Sequence, residues 1–257
     1  MHDLENASIA KDTTRPVSIV ELRQYTLHPG MRDTLIELFD REFIKSQEAL
    51  GMSVLGQFRD LDDPNRFVWL RGFSDMSARA PALEAFYRQG RAWKTHRAAA
   101  NATMIDSDNV LLLRPARSDS GFAPSGTPRV PAGTRARSDG VITANIEYFD
   151  APVSDAWLGW FERERAPQLT EAGATIRGTF VTEYGANEFP ALPVREGVDV
   201  FVWFAGFPSA EAHAVYENSV AQSERWRAVR GEVGGFRLGV RSERLRLSPT
   251  ARSLLRS

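Results

Sequence analysis

The sequence predicts an α+β protein made of two tandem βαββαβ units, their antiparallel sheets packed face to face as an α/β barrel. Two observations carry this. FVWLRGF at residues 67–73 returns as FVWFAGF at 201–207, and the flanking motifs keep one order: GMSVLGQF (51–58) and GATIRGTF (173–180) before, Trp93 and Trp226 after, LLLRP (111–115) and LRLSP (245–249) at the close. Recurrence in fixed order is the mark of a repeated structural unit. Between the copies, Gly, Pro and Ser fill 11 of the 25 positions of residues 116–140, a composition suited to an extended or mobile linker. The expected organisation is therefore a tail (1–15), a first domain (16–115), the linker (116–140), a second, divergent domain (141–249) and a short tail (250–257).

Each unit reads the same way locally. VSIVELRQYTL alternates apolar and polar positions, the period of a strand with two different faces. Pro29 stands where a first helical turn tolerates proline, LIELFDREFIKSQEAL sets Leu35, Leu38, Phe39 and Phe43 on one helical face, and Gly51 suits the left-handed residue that ends a helix. Strands at 52–59 and 66–73, a helix at 75–98 and a strand at 109–114 complete the unit. The second copy offers ITANIEYF, a helix over 154–172 interrupted at Pro167, strands at 174–183 and 198–207, a helical region at 209–229 and a strand near 236–247, with an insertion, YGANEFPALPVREGVD, between its middle strands.

A βαββαβ unit is the split-βαβ, ferredoxin-like arrangement, with both helices on one face of the sheet. Val20, Leu22, Val68 and Leu70 are assigned to that face, which sends Glu21, Arg23, Tyr25, Phe67, Trp69, Arg71 and Phe73 to the other. A face so rich in aromatics is too apolar to leave wet. Two such faces can cover one another, so the FVW motif occurs twice because each copy supplies half of the buried surface. A barrel closed within one chain is expected, with a homodimer as a further step.

Composition narrows the function classes. A net charge of −1 gives no global field to attract nucleic acid or an anionic membrane, and no apolar run approaches the length of a bilayer span. The absence of cysteine removes thiolate metal sites and disulfides and suits a reducing cytoplasm. The first residues lack the apolar core of a secretory signal. No GxSxG elbow, phosphate loop, GxGxxG turn or HExxH pair occurs, so hydrolase triads, dinucleotide cofactors and a metal are not expected.

A small-molecule site is expected between the sheet and its partner or under the helices. Glu21, Arg23, Tyr25, Trp69 and Arg71 are candidates for its floor, with Phe58, Trp93 and Trp203 as further ligand contacts. One reading makes Glu21 and an arginine a structural ion pair; the other has arginine hold a carboxylate or enolate while Glu21 or Tyr25 exchanges a proton with it. His96, three residues after Trp93 on a helix, is the histidine with a candidate acid–base role, a haem-ligand role being the alternative and a surface position the plain reading. His28 reads as a loop residue and His213 as partly exposed.

ELRQYTLHPGM (21–31), GMSVLGQFR (51–59), FVWLRGF (67–73), AFYRQGRAWKTH (85–96) and LLLRP (111–115) resemble the NIPSNAP family of the dimeric α/β-barrel superfamily. The resemblance implies ferredoxin-like sheets paired into a barrel. It leaves chemistry open, because related barrels include cofactor-free monooxygenases, isomerases, haem proteins and plain ligand binders. The reading adopted is a protein that binds a small aromatic or carbonyl compound without a cofactor, and acts on it by proton transfer, isomerisation or oxygenation; a non-catalytic binding or scaffold role and haem binding are the alternatives. In the second copy the counterparts of Glu21 and Arg23 are read as Ala144 and Ile146, so no polar site is expected there.

Overall fold

A computed structural model describes residues 17–124, 126, 128–136, 138–223, 232–233, 236–237 and 241–257. The amino-terminal tail and Trp226 lie outside the described residues. In the first half, strands β1 (Ile19–Leu27), β2 (Ser53–Asp60), β3 (Arg66–Phe73) and β4 (Met104–Pro115) form an antiparallel array ordered β4-β1-β3-β2. In the second, β5 (Val141–Phe149), β6 (Thr175–Thr182), β7 (Asp199–Phe207) and β10 (Arg241–Pro249) give the same order, β10-β5-β7-β6; a short hairpin, β8 (Glu232–Val233) and β9 (Phe236–Arg237), precedes β10. The two arrays close into one eight-stranded barrel through their edges. Leu247 to Pro249 of β10 pair with Asp60 to Phe58 of β2, and Leu113 to Pro115 of β4 pair with Thr182 to Phe180 of β6. Closure removes the open edges that would otherwise invite another chain.

The sidedness of the strands is the reverse of the expected one. Val20, Leu22, Val68 and Leu70 point into the barrel, where they meet Phe58, Phe180, Phe204 and Leu247 in an apolar core. Phe67, Trp69 and Phe73 face outward, under the helices, against Leu35, Phe39, Phe43 and Phe86. Strands β1, β3 and β7 are therefore buried on both faces along almost their whole length, and an apolar strand covered on both sides gives alternation alone nothing with which to tell inside from outside. An eight-stranded barrel has room for little more than its own side chains, and aliphatic residues fill it better than charged ones.

Each half lays one long helical segment across its sheet between the first two strands. Pro29 and Gly30 (φ 78°) make a turn, so the first segment starts later than proline placement suggested: α1 (Arg32–Leu38), a π-helical turn (Phe39–Phe43) and α2 (Ile44–Glu48), closed by Gly51 at φ 89° as expected. The second is α5 (Asp155–Trp160), a π turn (Phe161–Arg165) and α6 (Ala166–Glu171), with Pro167 just past the π turn. The matched turns carry FDREF and FERER, so the extra residue is part of the repeated pattern. The remaining helical segments are α3 (Met76–Glu84), a third π turn (Ala85–Gln89) and α4 (Arg91–Asn101) in the first half, and α7 (Ala210–Gln222) in the second.

Neither the linker nor the carboxy-terminal segment hangs free. Phe122 packs on Phe180 and Phe204 at the barrel core, with ring centroids 4.7 and 5.0 Å away. Thr250 N and Leu255 N donate to the carbonyls of Gln57 and Leu55, extending the sheet beyond β10, and Arg252 is buried. Arg129 joins these segments to the first helix through Glu48 Oε1 (2.6 Å), and Arg252 donates to the carbonyl of Asp40. A Gly/Pro/Ser count misses this because single Phe and Arg side chains supply the anchors.

This strap buries Asp40. Burial pushes its carboxyl from 3.8 up to about 6, against the pull of Arg252, Arg129 and Arg59, and Oδ1 has no hydrogen-bond partner. A carboxyl raised in the folded state contributes stability that is complete below the unfolded value of 3.8 and is lost as pH rises through about 6. Asp40→Asn is expected to gain about 1 kcal/mol at pH 8, after discounting for partial exposure, and to flatten the decline between pH 5 and 8. Urea unfolding at the two pH values checks this; an equal decline in both proteins contradicts it.

Candidate functional site

Two cross-strand rows on the outer face of the first half set the site. Leu112, Glu21, Arg71 and Val54 are register partners across β4, β1, β3 and β2, and Val110, Arg23, Trp69 and Gln57 form the next row. Period-two alternation keeps Glu21, Arg23 and Tyr25 on this face, and the helices above seal it. Three further side chains descend from those helices: Gln47 from α2, Arg79 from α3 and Tyr87 from the third π turn.

Three arginines, Arg23, Arg71 and Arg79, converge on a single carboxylate. Glu21 Oε2 accepts from Arg23 Nη1 (2.9 Å) and from Arg71 Nε and Nη2 (2.9 and 2.6 Å), while Oε1 accepts from Arg79 Nε (2.8 Å) and pairs with Nη2 (2.7 Å). Arg71 Nη1 also donates to Gln47 Oε1 and Tyr87 Oη, both at 3.1 Å, and Arg23 Nε donates to Tyr25 Oη at 3.0 Å. Glu21, Arg23 and Arg71 are 0% exposed and Arg79 1%. Burial alone would raise the Glu21 pKa; the charges of Arg71, Arg23 and Arg79 overcome it and hold the carboxyl far below the usual range. Burial pushes the Tyr25 phenol up, against Arg23, so it stays protonated.

Charge does not balance here. Three guanidiniums face one carboxylate, a surplus of two positive charges in a closed space. Aromatic faces absorb part of it: Arg23 and Arg71 lie 5.6 and 5.0 Å from the Trp69 ring, and Arg71 and Arg79 lie 5.5 and 6.0 Å from Phe73. Three donors of these rows remain unspent, Arg23 Nη2, Trp69 Nε1 and Gln57 Nε2, all buried with no hydrogen-bond partner. Such groups are costly unless something accepts from them.

The other sequence candidates fall elsewhere. Trp93 packs at the edge of the same helical layer, 4.8 Å from Tyr87 and 5.6 Å from Phe43 between ring centroids. His96, on α4, faces Glu42 of the first π turn (3.4 Å) and is partly exposed. Phe58 lies in the barrel core, and Trp203 lies under the helices of the second half, so neither adjoins Glu21. His213 is buried, stacked edge-on to Phe207 at 4.8 Å, where a partly exposed position was expected. The register also moves the second-half counterparts by one residue. Thr143 pairs with Ala205 and Asn145 with Trp203, as Glu21 pairs with Arg71 and Arg23 with Trp69, so Thr143 and Asn145 replace the expected Ala144 and Ile146. There Asn145 Nδ2 donates to Thr143 Oγ1 at 3.1 Å, a neutral pair where the first half holds an ion cluster.

Arg79, Gln47, Tyr87 and Asn187 were not anticipated. Arg79 had a readable signal: it shares a helical face with Ala82, Leu83 and Phe86, a charge inside a buried stripe.

The strand order, the helical cover and the Glu21 row can be set beside known families. Residues 20–119 match the NIPSNAP family model. No curated protein matches the chain in sequence. Among solved structures, a candidate monooxygenase from Lactobacillus acidophilus NCFM shares 12% identity over 91% of this chain and 94% of its own, with a TM-score of 0.51. An anthrone oxidase-like protein shares 16% over 93% and 96%, also at 0.51. A NIPSNAP domain protein from Burkholderia xenovorans aligns with 39% of this chain and 96% of its own, at 18% identity and a TM-score of 0.36. The two full-length neighbours share the fold; the NIPSNAP match covers the half that holds the arginine cluster. No described helix is long and apolar enough to cross a membrane.

Proposed function

We propose that the NIPSNAP half binds a small organic anion, an aromatic or carbonyl compound bearing a carboxylate, enolate or phenolate oxygen, against Arg23, Tyr25 and Trp69. The surplus buried positive charge carries this reading. An anionic oxygen placed at Arg23 Nη2 and Trp69 Nε1 would satisfy two of the idle donors and lower the uncompensated charge. The aromatic walls favour a planar ligand.

The geometry divides the chemical roles. Glu21 spends both oxygens on arginines and is held ionised, so it anchors the guanidiniums and is a poor proton acceptor. Tyr25 accepts a hydrogen bond from Arg23 Nε, which leaves its own proton to donate. In a cofactor-independent reaction Arg23 would stabilise a ligand that arrives as an enolate, Tyr25 would pass its phenolic proton to the enolate carbon to give the ketone, and the tyrosinate, paired with Arg23, would regain a proton from solvent. Binding without turnover is a second reading, favoured by the lack of a free base at the cluster. A haem fits poorly: the imidazole of His96 is directed to Glu42, away from the cluster.

Titration with salicylate, benzoate and neutral benzamide, followed by tryptophan fluorescence, tests the proposal. The two anions are expected to saturate and shift the emission of Trp69, while benzamide binds at least about tenfold more weakly, the cost of losing a charge-assisted contact. Equal affinity for benzoate and benzamide would remove the case for an anion site.

A further inference from the structure

The cluster is closed, so a ligand can reach it only if some cover moves. One part of that cover comes from the other half of the chain. Residues 183–198, between β6 and β7, form neither helix nor strand, whereas the matching connection in the first half is only residues 61–65. The longer segment sends Phe189, Leu192 and Val194 into the helical layer of the first half. Phe189 is buried, 6.1 Å from the Tyr87 ring and 5.7 Å beneath the Arg88 guanidinium. Asn187 Oδ1 accepts from Arg79 Nη1 at 2.9 Å, and Asn187 Nδ2 donates to the Leu192 carbonyl at 3.0 Å. The base of the segment is fixed by Arg195, whose N–H donates to the Val110 carbonyl and whose Nη1 donates to Tyr148 Oη. Beside that base, Gly197 sits at φ 66°, a conformation other residues rarely adopt.

We infer that Asn187 is a positioning residue that latches the 183–198 segment over the anion site, its amide oxygen holding Arg79 until an anion bound for Arg23 Nη2 and Trp69 Nε1 competes for that guanidinium on entry. The inference rests on the anion-binding reading. A neutral amide is a weaker acceptor for a guanidinium than a carboxylate or phenolate, so an arriving anion can displace Asn187. The exchange frees residues 183–194, ahead of the Arg195 anchor, to lift from the helical layer and uncovers Tyr87 and Arg71. The second half, whose own rows carry Thr143 and Asn145 in place of charges, thereby acts as the doorkeeper of the first.

Three variants of the full chain test the latch. Asn187→Ala removes the acceptor, and amide hydrogen exchange is expected to rise severalfold across 183–198 while β1 is unchanged. Asn187→Asp supplies a fixed anion to Arg79; exchange in the segment is expected to slow, and salicylate affinity to fall about tenfold. Rescue of binding by Asn187→Gln would fit a neutral acceptor requirement. Unchanged exchange in 183–198 for both Ala and Asp variants overturns the latch, whether or not salicylate binds. If the wild type binds neither salicylate nor benzoate, the anion-site reading falls, and the exchange comparison still decides whether Asn187 holds the segment.

Discussion

Glu21→Ala is expected to unfold the protein or to lose more than about 3–5 kcal/mol, the usual cost of stripping one partner from a buried ion cluster. That is a large part of the total stability of an ordinary domain, roughly 5–15 kcal/mol. The cause is the charge count: without Glu21, three guanidiniums that are at most 1% exposed face one another with no carboxylate between them. Folding should return when the charges leave together, so Glu21→Ala combined with Arg71→Met and Arg79→Met is expected to be more stable than Glu21→Ala alone. The same logic gives an acid limb. Glu21 is depressed in the folded state, so its contribution is complete above its unfolded value of 4.5 and drains away as pH falls below that. Asp40 titrates in the opposite sense. Urea unfolding from pH 3 to 8 should therefore show a loss below about pH 4.5 that belongs to Glu21 and a shallower loss, as pH rises from about 4 to 6, that belongs to Asp40. A Glu21→Ala protein within 1 kcal/mol of wild type would mean that the arginines find other compensation.

How much of this was legible follows from what a strand pattern can encode. The recurrence of FVW, the alternation in VSIVELRQYTL and Gly51 at a helix end gave the element order and the duplicate arrangement of strands, because each is local. Sidedness failed because Val20 and Trp69 are equally at home in a buried layer, and a strand covered on both faces offers no wet side for orientation. The charges were the missed clue. A barrel interior closed on all sides has no helical side chains to meet a guanidinium, whereas a sheet face under helices can receive Gln47, Arg79 and Tyr87. Placing Glu21 and Arg71 under the helices first would have put Val20 and Leu70 inside the barrel at once. The reading of Ala144 and Ile146 failed by the same step of one residue, which carries a side chain through the sheet.

The rest of the site is long-range in origin. Arg79 could have been suspected from its place on an apolar helical stripe, but Asn187 sits in an irregular insertion and meets Arg79 across 108 positions of sequence. No periodicity marks such a contact. It also explains why halves of like topology need not be equivalent. One keeps the charged rows, and the other has Thr143, Asn145 and Ala205 there and contributes a cover.

Arg23→Met should separate binding from stability, which Glu21→Ala cannot. Removing Arg23 lowers the buried surplus from two positive charges to one and leaves Glu21 still paired with Arg71 and Arg79. Replacing a buried charge by an apolar side chain of similar length is often neutral, so stability is expected to stay within about 1 kcal/mol of wild type. Binding should not survive so well. The variant loses the idle Nη2 donor and the field at Trp69, and a charge-assisted contact in a closed site is worth about 1.5–3 kcal/mol, or roughly tenfold to a hundredfold in affinity for salicylate. Arg23→Lys should recover only part of it, because an ammonium cannot serve Glu21, Tyr25 and a ligand from one planar fork. A folded Arg23→Met protein that binds salicylate as the wild type does would show that the surplus charge is satisfied by the aromatic faces alone, and the cluster would then be architecture and not a site.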